Sequence, residues 1–179
     1  MAGQVAPGSR VIYADNDPIV HVHANALLTG SGTTSIVLAD LREPEAILAH
    51  PKVRALIDFS RPVALLLIAI LHFITEAENP GGIVAALRDA LPSGSFLALS
   101  HGTADFHPPG TASEAAVSYQ TATAPLVLRS FDRVSAFFDG FELVEPGLMQ
   151  APLWRPDGKP PRPKDLAKIG VYAGVGRKS

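Results

Sequence analysis

Two acidic residues, each closing a short apolar run, are the side chains of this 179-residue sequence best placed to do chemistry. Val11, Ile12, Tyr13 and Ala14 read as a strand, and Asp15-Asn16-Asp17-Pro18 punctuates it as a strand-to-helix turn. In open α/β sheets ligands bind beyond such strand ends, and a carboxylate there accepts the hydroxyl protons of a ribose. Asp17 is the natural helix cap, with Pro18 at the first helical position, so Asp15 is left for a ligand and Asn16 to support the contact. A second strand, Ser35 to Ala39, ends at Asp40, short of the next cap, Glu43 before Pro44. In a nucleoside site Asp40 can accept from an adenine exocyclic amine while the Leu41 amide donates to a ring nitrogen. The plain alternative for Asp15 is a turn aspartate that satisfies its own backbone.

Two histidines follow strands and are the candidate catalytic groups. His72 closes the apolar run Val63 to Leu71, and His101 closes Phe96 to Ser100; either could serve as a general base at the crevice, or be a hydrogen-bonded structural residue. His21 and His23 lie two apart on a helix and face different ways, which is poor geometry for one metal ion, and no metal site is expected. His107, before Pro108-Pro109, belongs to a loop. Gly30-Ser-Gly32 precedes a strand and Gly174-Val-Gly176 has no helix after it, so neither can cradle a cofactor. Trp154 and Arg155 sit in a proline-rich loop, where packing and exposure are their default roles.

The elements that must position these residues alternate strand and helix, which argues for an α/β fold with a parallel sheet and right-handed crossovers. The spacing predicts helices over Pro18 to Leu28, from Pro44 to His50, over Ile83 to Leu91, over Thr111 to Thr123 and over Ser130 to Phe138. Val63 to Leu71 shows no alternation, as expected for a strand of about eight residues covered on both faces. Phe141 to Val144 and Lys168 to Val175 form a final antiparallel pair, separated by a segment carrying Pro152, Pro156, Pro160, Pro161 and Pro163.

Composition sets the outer bounds. Hydrophobic residues make up 47% and charged residues 18%, as in a globular protein of one domain over residues 1–179 with a sizeable core. A formal charge of -2 leaves no basic stripe for phosphate backbones, so charge indicates no nucleic acid partner. The chain has no cysteine, which rules out disulfides and thiolate metal sites and fits a cytoplasmic location. No signal peptide pattern opens it, and its longest apolar run is too short to span a bilayer as a helix, so no membrane role is expected.

RVIYADNDPIV, ADLREPEAIL, RPVALLLIAILHFI, ALRDALPSGSFLALSH and the closing IGVYAGVGRK, in that order, resemble the actinobacterial S-adenosyl-L-methionine-dependent methyltransferases once classed as a domain of unknown function. The resemblance covers nearly the whole chain. It implies a class I, Rossmann-like methyltransferase sheet of seven strands with the last antiparallel. It further implies that Asp15 and Asn16 meet the cofactor ribose, that Asp40 and Leu41 meet the adenine, and that Ala69, Ile70 and Leu71 lie beside the methionine part. Members of that family carry an N-terminal helical segment and a strand with a glycine-rich loop, for which no counterpart precedes Met1. The expectation is therefore an N-terminally truncated domain whose first strand is missing between the Val11 and Val63 strands, with an exposed sheet edge that invites association between copies.

The leading expectation is methyl transfer from S-adenosyl-L-methionine to a small-molecule acceptor. The alternative is a catalytically inactive nucleoside-binding or interaction module derived from such an enzyme. A nicotinamide-dependent oxidoreductase is less well supported: Tyr13, Tyr119 and Tyr172 are followed four residues on by Asp17, Thr123 and Gly176, so the Tyr-x-x-x-Lys pair of its short-chain form is not there.

Overall fold

The computed structural model describes residues 6, 8–28, 32–107, 125–159 and 161–179. Its elements are Val11–Asp15 (β1), Pro18–Leu28 (α1), Thr34–Leu38 (β2), Pro44–Ala49 (α2), Pro51–Leu56 (α3), Ala64–Ile68 (β3), Pro80–Asp89 (α4), Phe96–Gly102 (β4), Phe131–Ser135 (α5), Phe141–Leu143 (β5), Met149–Gln150 (β6), Pro163–Leu166 (α6) and Val171–Lys178 (β7). Every one of these helices except α5 begins on proline, whose missing amide proton costs nothing at a helix start. Side-chain caps complete several of them: Asp17 Oδ1 accepts from the Ile19 amide at 2.7 Å, His50 Nδ1 from Lys52 and Asn79 Oδ1 from Gly82, both at 3.1 Å.

The strands form two separate sheets. In one, β1 and β2 pair in parallel, Val11 opposite Thr34 and Asp15 opposite Leu38. In the other the order is β3-β4-β7-β5, with β6 also joined to β7. β3 and β4 are parallel, whereas β7 runs antiparallel to β4, β5 and β6. No ladder joins β1 to β3 among the described residues. The two sheets are held instead through helices: α2 packs on α4, and α3 lies against β1 and β2.

The main core belongs to the larger sheet. Leu67, Leu97, Leu99, Leu71, Ile83, Val84, Leu87, Val134, Phe137, Phe138 and Tyr172 pack into one cluster, and Leu41 and Leu48 reach it from the β2 side. Gly174 and Gly176 serve this packing, since a Cβ on either would press into the Phe138 ring.

Several boundaries differ from those read in the sequence. The Val63 to Leu71 run is not one strand: β3 ends at Ile68, Ala69 turns at a φ of 54°, and Leu71–Phe73 coils as a 3-10 turn. Nor is β3 covered on both faces. Leu67 is buried, but Leu66 and Ile68 are 64% and 54% exposed, because no element among the described residues lies over that side. Residues 51–56, to which the sequence pattern assigns no element, form α3. The helix expected from Ile83 starts earlier, at Pro80, once Asn79 caps it, and β7 runs from Val171 to Lys178. The Ser130 to Phe138 helix is α5 followed by a 3-10 turn. The Thr111 to Thr123 helix lies outside the described residues.

Candidate functional site

The turns after β1 and β2 meet. Asp15 Oδ1 accepts from the Asp17 amide at 2.9 Å, so part of this carboxylate does close its own turn, while Oδ2 has no partner among the described residues. Asn16 donates from Nδ2 to Asp40 Oδ2 at 3.2 Å, joining two strand ends that lie 24 residues apart in sequence. Asp40 Oδ1 takes both the backbone amide and Nε of Arg42 at 2.9 Å. Partial burial works against the Asp40 charge, but these bonds from Arg42 and Asn16 outweigh it and hold the carboxyl below its ordinary pKa. The Leu41 amide makes no hydrogen bond among the described residues, so it is available as a donor beside an ionised acceptor.

Arg42 extends this network across the molecule. Its Nη1 meets Glu78 Oε1 at 2.8 Å, and Glu78 Oε2 accepts from the Thr75 amide and hydroxyl. A chain of polar bonds thus runs from Asn16 through Asp40, Arg42 and Glu78 to Thr75, tying the carboxyl end of the small sheet to the turn that follows β3. Thr75 bonding holds the Glu78 carboxyl low, with Arg42 adding to it.

The β3 turn is set by its neighbour β4. Ser100 Oγ accepts from the Ala69 amide at 2.9 Å, which fixes Ala69 in the left-handed region that non-glycine residues rarely adopt. Such strain is kept only where the surroundings over-determine it, and it is frequent at ligand sites. Ala69 and Ile70 are exposed, but Leu71 is wholly buried and its carbonyl accepts from Arg129 at 2.9 Å. Of these three residues, then, Ala69 and Ile70 face outward and Leu71 anchors the turn in the core.

His72 and His101 stand edge to face, ring centroids 5.6 Å apart. His101 is wholly buried: Nδ1 lies 2.7 Å from the Gly102 carbonyl and Nε2 2.8 Å from Arg129 Nη1. A carbonyl can only accept and a guanidinium only donate, so the proton is on Nδ1 and both ring nitrogens are used. Burial pushes its pKa down to about 4, the Arg129 charge working in the same direction. His72 is half-buried, and its Nδ1 accepts from the Gly102 amide at 3.3 Å, which places the proton of the neutral ring on Nε2. Its pKa is also lowered, by burial and by Arg129.

The central member of this cluster, Arg129, carries no signal in the sequence beyond following an apolar triplet. Only 4% exposed, it donates to the carbonyls of Leu71 and Ile74, to His101 and to Glu76 Oε1. Arg129 and Arg133 together hold the Glu76 carboxyl low. Sequence reasoning also missed Ser100, Arg42 and Glu78, because each acts through a residue distant along the chain. At the other end of the large sheet, Trp154 donates to the Gly147 carbonyl and Arg155 lies over its ring, so both pack the loop. His107 nestles against Gly170. No cluster of metal-ligating side chains occurs among the described residues.

A family model for S-adenosyl methyltransferases matches residues 1–179. The chain belongs to this family. Its fold is that of class I S-adenosylmethionine-dependent methyltransferases, and the cofactor of the family is S-adenosylmethionine. Among solved structures, a DUF574 family protein from Streptomyces avermitilis MA-4680 is 42% identical, with a TM-score of 0.92 over 99% of this chain and 68% of its own. A candidate methyltransferase from Thermobifida fusca YX is 37% identical, with a TM-score of 0.90 over 99% of this chain and 66% of its own. This methyltransferase-family chain thus spans about two thirds of the length of those actinobacterial relatives. The N-methyltransferase NodS from Bradyrhizobium japonicum WM9, solved with S-adenosyl-L-homocysteine, shares the fold at 10% identity and a TM-score of 0.57, covering 94% of this chain and 66% of its own. No protein of curated function matches the sequence.

Proposed function

We propose that the crevice at the carboxyl ends of β1, β2 and β3 binds S-adenosylmethionine and transfers its methyl group to a small-molecule acceptor. The observation that carries this reading is the Asn16 to Asp40 bond, which sets two carboxylates and the unpartnered Leu41 amide at adjoining strand ends. Asp15, through its open Oδ2 and supported by Asn16, accepts from the ribose hydroxyls. Asp40 accepts from the adenine amine, and the Leu41 amide donates to the ring. Ala69 and Ile70 border the methionine part, with Leu71 holding their turn to the core. The cofactor supplies a methyl group already activated on sulfonium; the chain's work is to align an acceptor oxygen or nitrogen and to exclude water. Where the acceptor must lose a proton, His72 is the group assigned to take it, at the cost of its Gly102 bond, while His101 keeps Arg129 in place.

No helix among the described residues is long and apolar enough to cross a membrane. The proposed setting is the cytoplasm, where the cofactor is made, and the proposed partner is the small acceptor. A second reading, a nucleoside-binding module without turnover, draws on the missing ladder between β1 and β3.

Calorimetric titration with S-adenosylhomocysteine tests the binding role. The expected result is a one-to-one complex that Asp15→Ala and Asp40→Ala each weaken at least about tenfold, or roughly 1.4 kcal/mol. Unchanged affinity in both folded variants would sink the assignment. Binding without methyl transfer to any acceptor in a broad small-molecule panel would favour the module reading.

A further inference from the structure

The turns after β2 and β3 are each held as one piece by bonds of their own. On the β2 side Asn16 ties the end of β1 to Asp40 at 3.2 Å, and Asp40 Oδ1 fixes Arg42 by accepting from its amide and its Nε, both at 2.9 Å. On the β3 side, residues 69–78 are pinned at three points. Ser100 holds the Ala69 amide, Arg129 holds the carbonyls of Leu71 and Ile74, and Glu78 Oε2 takes the Thr75 amide at 2.7 Å and its hydroxyl at 2.8 Å. Arg42 Nη1 and Glu78 Oε1 then meet at 2.8 Å and join the two pieces. Apolar packing of α2 on α4 also joins them, but hydrophobic contact is non-directional and sets no length. A charge-assisted bond between two side chains already fixed at their own turns sets both. Each Glu78 oxygen is taken by a protein donor, so this carboxylate acts on a ligand through Arg42 and Thr75, without touching it.

We propose that Arg42 and Glu78 are positioning residues for the cofactor: their ion pair fixes the separation between the turn that takes adenosine and the turn that borders the methionine part. This rests on the cofactor reading given above. S-adenosylmethionine has a nucleoside end and an amino-acid end. Once the first is seated, binding of the second is intramolecular, and its gain depends on the two subsites standing at the right distance. Because residues 69–78 are pinned together, a displacement of Glu78 is passed to Ala69 and Ile70; because Asp40 holds Arg42, the other end of the pair is the adenine site itself. The two side chains are 45% and 29% exposed, and an ion pair so open to water adds little to stability. Its loss should therefore be read in how the two ends of the cofactor bind, not in an unfolding curve.

The test compares S-adenosylhomocysteine with adenosine, which lacks the amino-acid end, by calorimetric titration of the 179-residue chain. Glu78→Ala should leave the adenosine affinity within about twofold and weaken S-adenosylhomocysteine at least about fivefold. In an Arg42→Met background the pair is already broken, so the same Glu78→Ala change should cost S-adenosylhomocysteine less than about twofold. A direct contact from Glu78 to the ligand would instead cost the same factor in both backgrounds. A second readout needs no ligand. The chain contains no cysteine, so Val22→Cys on α1 and Asp132→Cys on α5, both exposed, can carry a pair of spin labels. Glu78→Ala should broaden their distance distribution. The proposal is overturned if Glu78→Ala leaves the affinity ratio of the two ligands unchanged, if its cost is the same with and without Arg42, or if the label distances do not respond. Failure of both ligands to bind the unaltered chain would overturn the cofactor reading instead, and the label distances would still decide whether the pair fixes the two turns.

Discussion

The small sheet and the large sheet carry the same kind of sequence and reach opposite degrees of burial. α1, beside β1, has no buried residue at all: Ile19, Val22 and Leu27 are 66%, 65% and 85% exposed. Across the molecule, Leu97 and Leu99 in β4 are at most 1% exposed, in the cluster that α4 and the α5 segment complete. The proposed cofactor-binding groups at the β1 and β2 ends lie in the thin region, whereas the packing and the buried Arg129 network lie in the dense one. The proposed binding groups can therefore be lost without loss of the fold, and substitutions in the two regions should differ in cost.

The largest effect should come from Arg129→Met. It leaves the Ile74 carbonyl and the Nε2 of His101 without a donor and the Leu71 carbonyl with the Ile74 amide alone, and disrupting a buried charge network of this kind costs about 3–5 kcal/mol. Urea unfolding measures it; a loss below about 1 kcal/mol would mean that water replaces the guanidinium. Next comes the direct contrast between regions. Leu97→Ala should cost about 2–5 kcal/mol, and Ile19→Ala should stay within about 0.5 kcal/mol. Equal losses would show that α1 is covered in solution.

Acidification comes third. His101 has a folded pKa of about 4 against the ordinary 6.5, so the unfolded chain binds its proton first. Stability is full above pH 6.5, falls as the pH drops from there to about 4, and then levels for this group. The total is roughly 3 kcal/mol, and the lowered pKa of His72 adds in the same direction. His101→Gln should flatten the slope between pH 6.5 and 4 in urea titrations; an unchanged slope would assign it to other groups. The smallest effect concerns the strained turn. Ala69→Gly relieves a positive φ but frees the unfolded chain, and the two offset to within about 1 kcal/mol, while Ala69→Val at the same φ should be clearly destabilising in a thermal melt.

The strand ends were legible in the residues because their signals are local. An apolar run followed by Asp-Asn-Asp-Pro states both where the strand stops and which side chain caps the next helix, and Asp17 caps as read. Proline starts made α1 and α2 legible for the same reason, yet α3 was missed although it too begins on proline, because His50-Pro51 ends one helix and opens the next within two residues. The Val63 to Leu71 run misled in the opposite sense: uniform apolarity implied burial on both sides, and burial depends on what is stacked over the strand.

The sequence by itself determined the alternation of strand and helix, the positions of Asp15 and Asp40 at strand ends, and the family resemblance, since all three rest on residues near one another along the chain. Tertiary structure alone decided that Asn16 would bond Asp40, that Ser100 would hold Ala69 at its strained φ, and that His101 would spend both ring nitrogens on Gly102 and Arg129. Those pairings join residues 24 to 31 positions apart, apart from the His101 to Gly102 contact, and no local propensity specifies a partner at that range. Their geometry is fixed by which strands lie side by side, and the same fact leaves Leu66 and Ile68 exposed where β1 and β3 do not meet.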